Sequence, residues 1–486
     1  MCTIRLILAS VFMVAAAGLA QPPEVQWTRA YGGMDDEEAF SIQATGDNGY
    51  IIAGHSRLPF GNEADMYLVK IGNRGDTLWT RTYDWGEALA TYSVVTTSDG
   101  GYVIAGSTGE LVVPYYDFYI VIMKVDSTGN EVWRRQIGNG IYQEDYYADD
   151  LQPTSDGGFV VSGRKFYSVP YILLIKVDST GVTEWLRQDY GYGRAWSCQQ
   201  TSDGGYIMGG YWHPTGGHTD CMLIKTNSAG DTSWTRRYGG DSNDQGYSVQ
   251  QTLDGGYILG GWTNSFGVGG RDFYVVKTDS VGDVMWTQTF GDVLNDHIYS
   301  AMETHDGGFI FGGYQISLLT YSYDGYVVRT DRDGILQWQE SYGGGLDDYI
   351  FRVKQAADHG FIFAGTTASM GAGGRDFYVI KTEPEGGSGA EGLQDAGIPE
   401  DVVLHECYPN PFNSTAVISY ELRAGSRVSI SVHDVLGRRV TTLVNSESQP
   451  GKGSVVWDAD ELPSGIYFVR LEAGEFVQMR KVVLLK

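Results

Sequence analysis

Four carboxylates return at one place in a repeating unit. Glu37, Asp244, Asp296 and Asp348 each stand four residues ahead of Ser41, Ser248, Ser300 and Arg352. Leu89, Tyr146 and Gly193 hold the equivalent positions in the other copies. Acids placed this way can do one of two things. Each can cap its own loop by accepting backbone N–H bonds, which needs no cofactor. Alternatively the four form a carboxylate arc at a channel mouth, able to bind calcium or another cation. If two of them face one another at a suitable separation, they would also serve a hydrolase or lyase acting on polysaccharide.

A second group, His213, His218, Asp220 and Cys221, offers donors of the kind zinc takes. Its spacing is loose and lies in a Gly-rich stretch, which reads as solvated surface. The sequence has no glycine-rich phosphate loop, nucleophile elbow or zinc-protease helix. No catalytic residue is assigned.

These residues must be positioned by short β-strands. From Ser248 to Trp286 the chain reads as four hydrophobic runs separated by Asp/Gly turns, a hairpin pattern. Three anchors of this unit recur seven times. An Asp-Gly-Gly-aromatic turn ends in Tyr50, Tyr102, Phe159, Tyr206, Tyr257, Phe309 and Phe361, with degraded copies at Asp47-Asn48-Gly49 and Asp358-His359-Gly360. A strand tryptophan recurs at Trp27, Trp79, Trp133, Trp185, Trp234, Trp286 and Trp338. A strand-end cation recurs at Lys70, Lys124, Lys176, Lys225, Lys277, Arg329 and Lys381. A period near 50 residues means a propeller or another repeat array, because one four-stranded unit cannot bury both its faces.

The series are out of phase. Trp27 precedes the first Asp-Gly turn, and no tryptophan strand follows Lys381. The N-terminal strand is therefore expected to complete the seventh blade and close the ring. The recurring tryptophans are read as blade packing. The paired small residues of each second strand, such as Gly260-Gly261, are read as close approach between blades.

Among 486 residues, 67 are glycine and 33 tyrosine, a composition for many turns and aromatic-filled strands. The net charge of -26 excludes a basic surface for nucleic acid or an anionic membrane. Arg5, an apolar run from Leu6 to Ala17 and Gly18-Leu19-Ala20 read as a secretory signal covering 1–20, too short to span a membrane. Cys198, Cys221 and Cys407 remain after its removal, and pairing of the first two is left open.

The motifs Trp-Thr-Arg-x-Tyr-Gly-Gly, Asp-Gly-Gly-Tyr-Ile-x-x-Gly and Asp-Phe-Tyr-Val-Val-Lys resemble the bacterial secreted β-propeller repeat family, a scaffold class without a common activity. The Asp-Ser-x-Gly-x-x-x-Trp turns also partly resemble the Asp-box of sialidases and the tryptophan-docking motif of quinoprotein dehydrogenases, both structural hairpins.

Beyond a Gly/Ser-rich linker at 385–402, residues 403–486 alternate as strands of a small antiparallel sandwich. Tyr408-Pro409-Asn410-Pro411, the turn at Gly437, Gly465-Ile-Tyr467 and the terminal segment with Lys481 resemble the C-terminal sorting domain of type IX secretion. An Ig-like module of flagellar hook-capping proteins has similar glycine turns. The sorting resemblance implies export by the type IX machinery to the surface or exterior of a Gram-negative bacterium, usually with loss of the tail.

The expected architecture is all-β: a seven-bladed propeller over 21–384, followed by an Ig-like sandwich. The expected role is a monomeric secreted binding or scaffold protein for a glycan or protein ligand. A polysaccharide-active enzyme is the alternative.

Overall fold

The computed structural model describes residues 20–385 except 59–63, 85–87, 113–114, 139–143, 215–216 and 319. Further on it describes 402–404, 412, 414–422, 426–434, 438–448, 451–459, 462–473 and 476–484. The expected signal (as far as residue 19), residues 386–401 of the linker, Tyr408, Pro409, Asn410, Pro411 and Gly437 lie outside the described residues, as does the side chain of Lys481. The chain forms two compact units, Met1–Ser388 and Gly389–Lys486.

Seven four-stranded antiparallel sheets make up the first unit. Their inner strands are Asp36–Ala44, Ala88–Thr96, Asp145–Pro153, Gly193–Gln200, Asp244–Gln251, Asp296–Glu303 and Asp348–Gln355, numbered here as blades one to seven. In blade seven the outer strand is Val25–Tyr31, which pairs with Asp376–Thr382 and sets Trp27 opposite Lys381. Both ends of the ring thus meet in one sheet, which leaves no open propeller edge there.

The three sequence anchors have physical explanations. Each strand-end cation, buried in every blade but the second, pairs with the aspartate of its blade's Asp-Gly turn, as in Lys70–Asp47 at 2.9 Å and Lys277–Asp254 at 2.8 Å. Two anchors are therefore halves of one ion pair, repeated in all seven blades, Arg329–Asp306 included. The turn glycine has to be glycine: a side chain at Gly256 would meet the Lys277 ammonium and the Thr278 carbonyl.

The tryptophans bind blade to blade. Trp185 meets Tyr206 of the next blade edge-on at 5.6 Å, and Trp234 meets Tyr257 at 5.7 Å. Trp234 also lies over Gly282 of the next blade's Asp-x-x-Gly turn, whose φ of +82° suits glycine.

The paired small residues have two separate causes. The first of each pair does face the neighbouring blade, as expected: Gly209 abuts Val249, and Gly312 abuts Ile350 and Val353. The second does not. Gly54, Gly163, Gly210, Gly261, Gly313 and Gly365 oppose a bulge in the inner strand of their own sheet, and a methyl there would collide with that strand's carbonyl oxygen.

The second unit is a sandwich of a three-stranded and a four-stranded sheet. Fully buried Trp457 lies between Phe412 (5.0 Å) and Tyr467 (5.5 Å), in a core shared with Ile418, Ile430 and Leu471. The Tyr467 hydroxyl donates to the Pro463 carbonyl at 2.9 Å and fixes the turn ahead of the strand that begins at Gly465.

Candidate functional site

A bulge interrupts every inner strand at the same step, and the bulged residues are Phe40, Tyr92, Asp149, Trp196, Tyr247, Tyr299 and Phe351. An extra residue on one strand re-aims its side chain out of the alternating pattern. Phe40, Asp149, Trp196, Tyr247, Tyr299 and Phe351, with Arg352, consequently line one cavity of about 300 Å³ at the hub of the ring. The aromatic members form a continuous belt. Trp196 stacks on Tyr247 at 4.8 Å, Tyr247 meets Tyr299 at 5.4 Å, Tyr299 meets Phe351 at 5.0 Å, and Phe351 stacks on Phe40 at 5.0 Å. None of these five is fully buried.

The residue after each bulge ties blade to blade. Ser41 accepts the Val94 N–H at 3.2 Å, Ser248 accepts that of Ala301 at 3.0 Å, and Ser300 accepts that of Val353 at 3.2 Å. Two blades depart from serine. In blade three Asp150 accepts the Cys198 N–H at 3.2 Å in serine's place. In blade seven the residue is Arg352, whose guanidinium reaches across the hub to within 3.8 Å of Asp150.

Asp149, the one charged bulge residue, is held by Arg194 in a two-pronged pair (2.8 and 2.5 Å), with Arg164 at 3.6 Å. The Arg194 guanidinium lies on the Trp196 ring. Above the belt, His297 stacks between Tyr314 (4.9 Å) and Trp262 (5.4 Å), with Arg271 3.0 Å from its Nε2. Burial, reinforced by the Arg271 charge, pulls the His297 pKa down to about 3, so the ring is neutral. Below the belt, Lys354 has no hydrogen-bond or ion-pair partner among the described residues. Burial and the adjacent Arg352 bring its ammonium down to about 8.

The four carboxylates singled out by sequence lie elsewhere and do not come together. Glu37, Asp244, Asp296 and Asp348 are all buried, each turned into its own loop. Asp244 accepts from Gly240 N (2.9 Å), the Ser265 hydroxyl (2.7 Å) and the Thr263 hydroxyl. Asp348 accepts from Gly344 N and the Ser369 hydroxyl, both at 2.7 Å. Glu37 accepts from Gly33 N at 3.1 Å and the Ser56 hydroxyl at 2.9 Å, and Asp296 from Asp292 N at 3.0 Å.

Each of the four has instead a carboxylate neighbour on the third strand of the preceding blade. Gly32 is flanked by Glu37 and Asp376, Gly239 by Asp244 and Asp220, Gly291 by Asp296 and Asp272, and Gly343 by Asp348 and Asp324. Burial, with like charge adding, raises Asp296 to about 7 and Asp272 to about 6. No group of three or more metal-type side chains occurs among the described residues.

His213 and His218 are exposed whereas Cys221 is buried, so the zinc-type donors do not converge. Cys198 and Cys221 are both free, and they pack into the cores on opposite faces of blade four. A second cavity, of about 530 Å³, lies at the seam of blades seven and one. Two of its polar lining residues serve the fold: Lys381 pairs with Asp358, and Trp27 donates to the Asn73 carbonyl.

Sequence reasoning missed the belt. Its signal was present as the pairs Phe40-Ser41, Tyr92-Ser93, Trp196-Ser197, Tyr247-Ser248 and Tyr299-Ser300 at the repeat period.

Residues 406–485 match the family described as the secretion system C-terminal sorting domain. The tail is thus a type IX sorting domain, which directs the chain to the surface or exterior of a Gram-negative bacterium. No curated protein matches the chain. Among solved structures, a fungal alcohol oxidase of the AA5 family in complex with copper is similar at 12% identity and TM-score 0.54, over 96% of this chain and 100% of that one. At this identity the likeness shows the fold alone. PorZ, a surface component of the type IX secretion system of Porphyromonas gingivalis, aligns at 12% identity and TM-score 0.33, over 92% of this chain and 52% of its own. Sqt1 from Chaetomium thermophilum aligns at 11% and 0.43, over 82% and 97%. Among the described residues no helix is long and apolar enough to cross a membrane.

Proposed function

We propose that this exported propeller is a binding module whose ligand, a glycan or a protein segment, enters the aromatic cup at its hub. One observation carries the reading: the bulge step of the inner strands turns Phe40, Trp196, Tyr247, Tyr299 and Phe351 into one half-exposed belt around a cavity of about 300 Å³. These rings line a shared cavity at the hub, whereas the outer-strand tryptophans pack on the aromatic and turn glycine of the next blade, as Trp234 does on Tyr257 and Gly282. A concave, mainly aromatic site with a few charged groups is the general form of a small-ligand pocket. The rigid sheets hold it in shape without any ligand, which lowers the entropic cost of binding.

Hydrolysis or lysis of polysaccharide by the loop-face carboxylates has less support. Glu37, Asp244, Asp296 and Asp348 each accept hydrogen bonds from their own loop, with Asp296 Oδ1 and Asp348 Oδ1 left without a partner among the described residues, and none lines the cup. The sorting domain supports delivery by type IX machinery, with the tail removed within or near 385–402 and the signal removed after Ala20. The purified full-length protein, probed on glycan and protein arrays beside Trp196→Ala and Tyr247→Ala, tests the reading. Ligands captured by the wild type should be lost by both variants. Retention of every ligand by both would place binding outside the cup.

A further inference from the structure

The cup contains a positive charge that the fold leaves poorly partnered. Asp150 accepts from Ser93 (3.1 Å), Cys198 N (3.2 Å), Ser197 (3.4 Å) and Gln152 (3.2 Å), so its charge is met without Arg352. Arg352, by contrast, has only the 3.8 Å approach to Asp150, beyond hydrogen-bond reach, and its Nε has no partner among the described residues. Its side chain is 18% exposed and lines the cavity. Lys354, two residues along the same strand, lies outside the cavity lining and adds a second cation near Asp150, without a hydrogen bond or ion pair among the described residues. Asp149 does not offset them, because Arg194 and Arg164 already surround it.

Around the cup Arg352, Lys354, Arg194 and Arg164 outnumber the carboxylates Asp149 and Asp150, in a chain of net charge -26. A guanidinium presents a planar fork that matches a carboxylate in two-pronged fashion. The rings beside it offer flat apolar faces, and the Trp196 Nε1 has no acceptor among the described residues. A ligand answering all three features carries a carboxylate, hydroxyl acceptors and an apolar ring face. The cavity, at about 300 Å³, holds one sugar ring and not a longer chain.

We propose that the cup binds a single hexuronic acid residue of an acidic glycan, with its carboxylate on Arg352 and its ring face on the Trp196–Tyr247–Tyr299–Phe351 belt. This assignment rests on the reading of the cup as the binding site. A neutral sugar of the same shape leaves Arg352 unpaired and loses the charge-assisted bonds, a cost of about tenfold or more in affinity.

The test is titration calorimetry of the full-length protein with galacturonic and glucuronic acid against galactose and glucose. The wild type should bind an acid at least about tenfold tighter than its neutral counterpart, and added salt should narrow the gap. Arg352→Gln should bring acid and neutral sugar to within about twofold, and Tyr247→Ala should weaken both. Arg352→Lys keeps the charge without the fork, so it should show an intermediate preference, and it stands in if the glutamine variant does not fold. Equal binding of acid and neutral sugar by the wild type would overturn the uronic acid assignment and leave the cup reading intact. Acid binding unchanged by both Arg352→Gln and Tyr247→Ala would overturn both. No heat from any sugar up to about 10 mM would overturn the uronic acid assignment, while the arrays continue to test the cup.

Discussion

Arg352 approaches Asp150 to 3.8 Å across the hub, and these are the two positions at which the ring of blade-tying serines is broken. They sit in blades seven and three, as far apart as a ring of seven blades allows. The two departures from the repeat thus meet in space.

Their contributions to stability should differ greatly. Asp150→Ala removes the acceptor for Cys198 N and for two hydroxyls, leaving buried donors unpaired, and should cost about 3 kcal/mol. Arg352→Gln removes one long approach and should cost less than about 1 kcal/mol. Urea unfolding of the two variants measures the difference, and equal losses would show that Arg352 holds the ring together.

The buried carboxylate neighbours make stability depend on pH. Asp296 and Asp272 are raised to about 7 and about 6, chiefly by burial, so the folded state holds their protons more tightly and stability falls as pH rises through that range. His297 and His55, lowered by burial to about 3 and about 4, act oppositely below their unfolded value of about 6.5. Above about pH 6.5 the carboxylates act without that opposition. Asp296→Asn should gain on the wild type between about pH 5 and pH 8 and exceed its stability by about 2 kcal/mol at the upper end. With the loop acids acting as caps, a chelator should leave the wild-type melting curve unchanged. A calcium-dependent rise in melting temperature that Asp244→Asn abolishes would reverse this expectation.

The inner-strand bulge predicts a sharp contrast between adjacent glycines. Gly261→Ala would drive a methyl into the Gln245 carbonyl oxygen and should cost about 3 kcal/mol, or prevent folding. Gly260→Ala meets only the side chains of Ala301 and Ile298 and should cost much less, since blades one, two and seven carry alanine there. Chemical unfolding of the two variants distinguishes them.

Ring closure by Val25–Tyr31 predicts that its deletion bares the edge of Asp376–Thr382 and removes Trp27 from the packing of blades seven and one. The melting transition should broaden and shift downward by several degrees. An unaltered transition would mean that the ring holds without that strand.

For the tail, removing 480–486 takes Val482 and Leu484 out of the sandwich core and strips the end of an edge strand. Fractionation should then find the protein in the periplasm and not at the surface. Normal surface display of the truncated chain would count against these residues as part of the export signal.

The sequence alone determined the number of blades, their phase and the role of the N-terminal strand. It did so because each anchor is a requirement repeated along the chain: an ion pair across one turn in all seven blades, and a tryptophan over the next blade's turn glycine at six of the seven positions among the described residues. It also determined the address, since the tail's turns and strand order are contiguous in the chain. It did not determine the site. Acids at a loop position look alike whether they face solvent or their own backbone, and only the folded loops show Glu37, Asp244, Asp296 and Asp348 turned inward. The aromatic belt depends on a bulge, which breaks the two-residue alternation from which strand faces are read. The meeting of Arg352 with Asp150 depends on closure of the ring, which brings residues about 200 positions apart in the chain to the same hub.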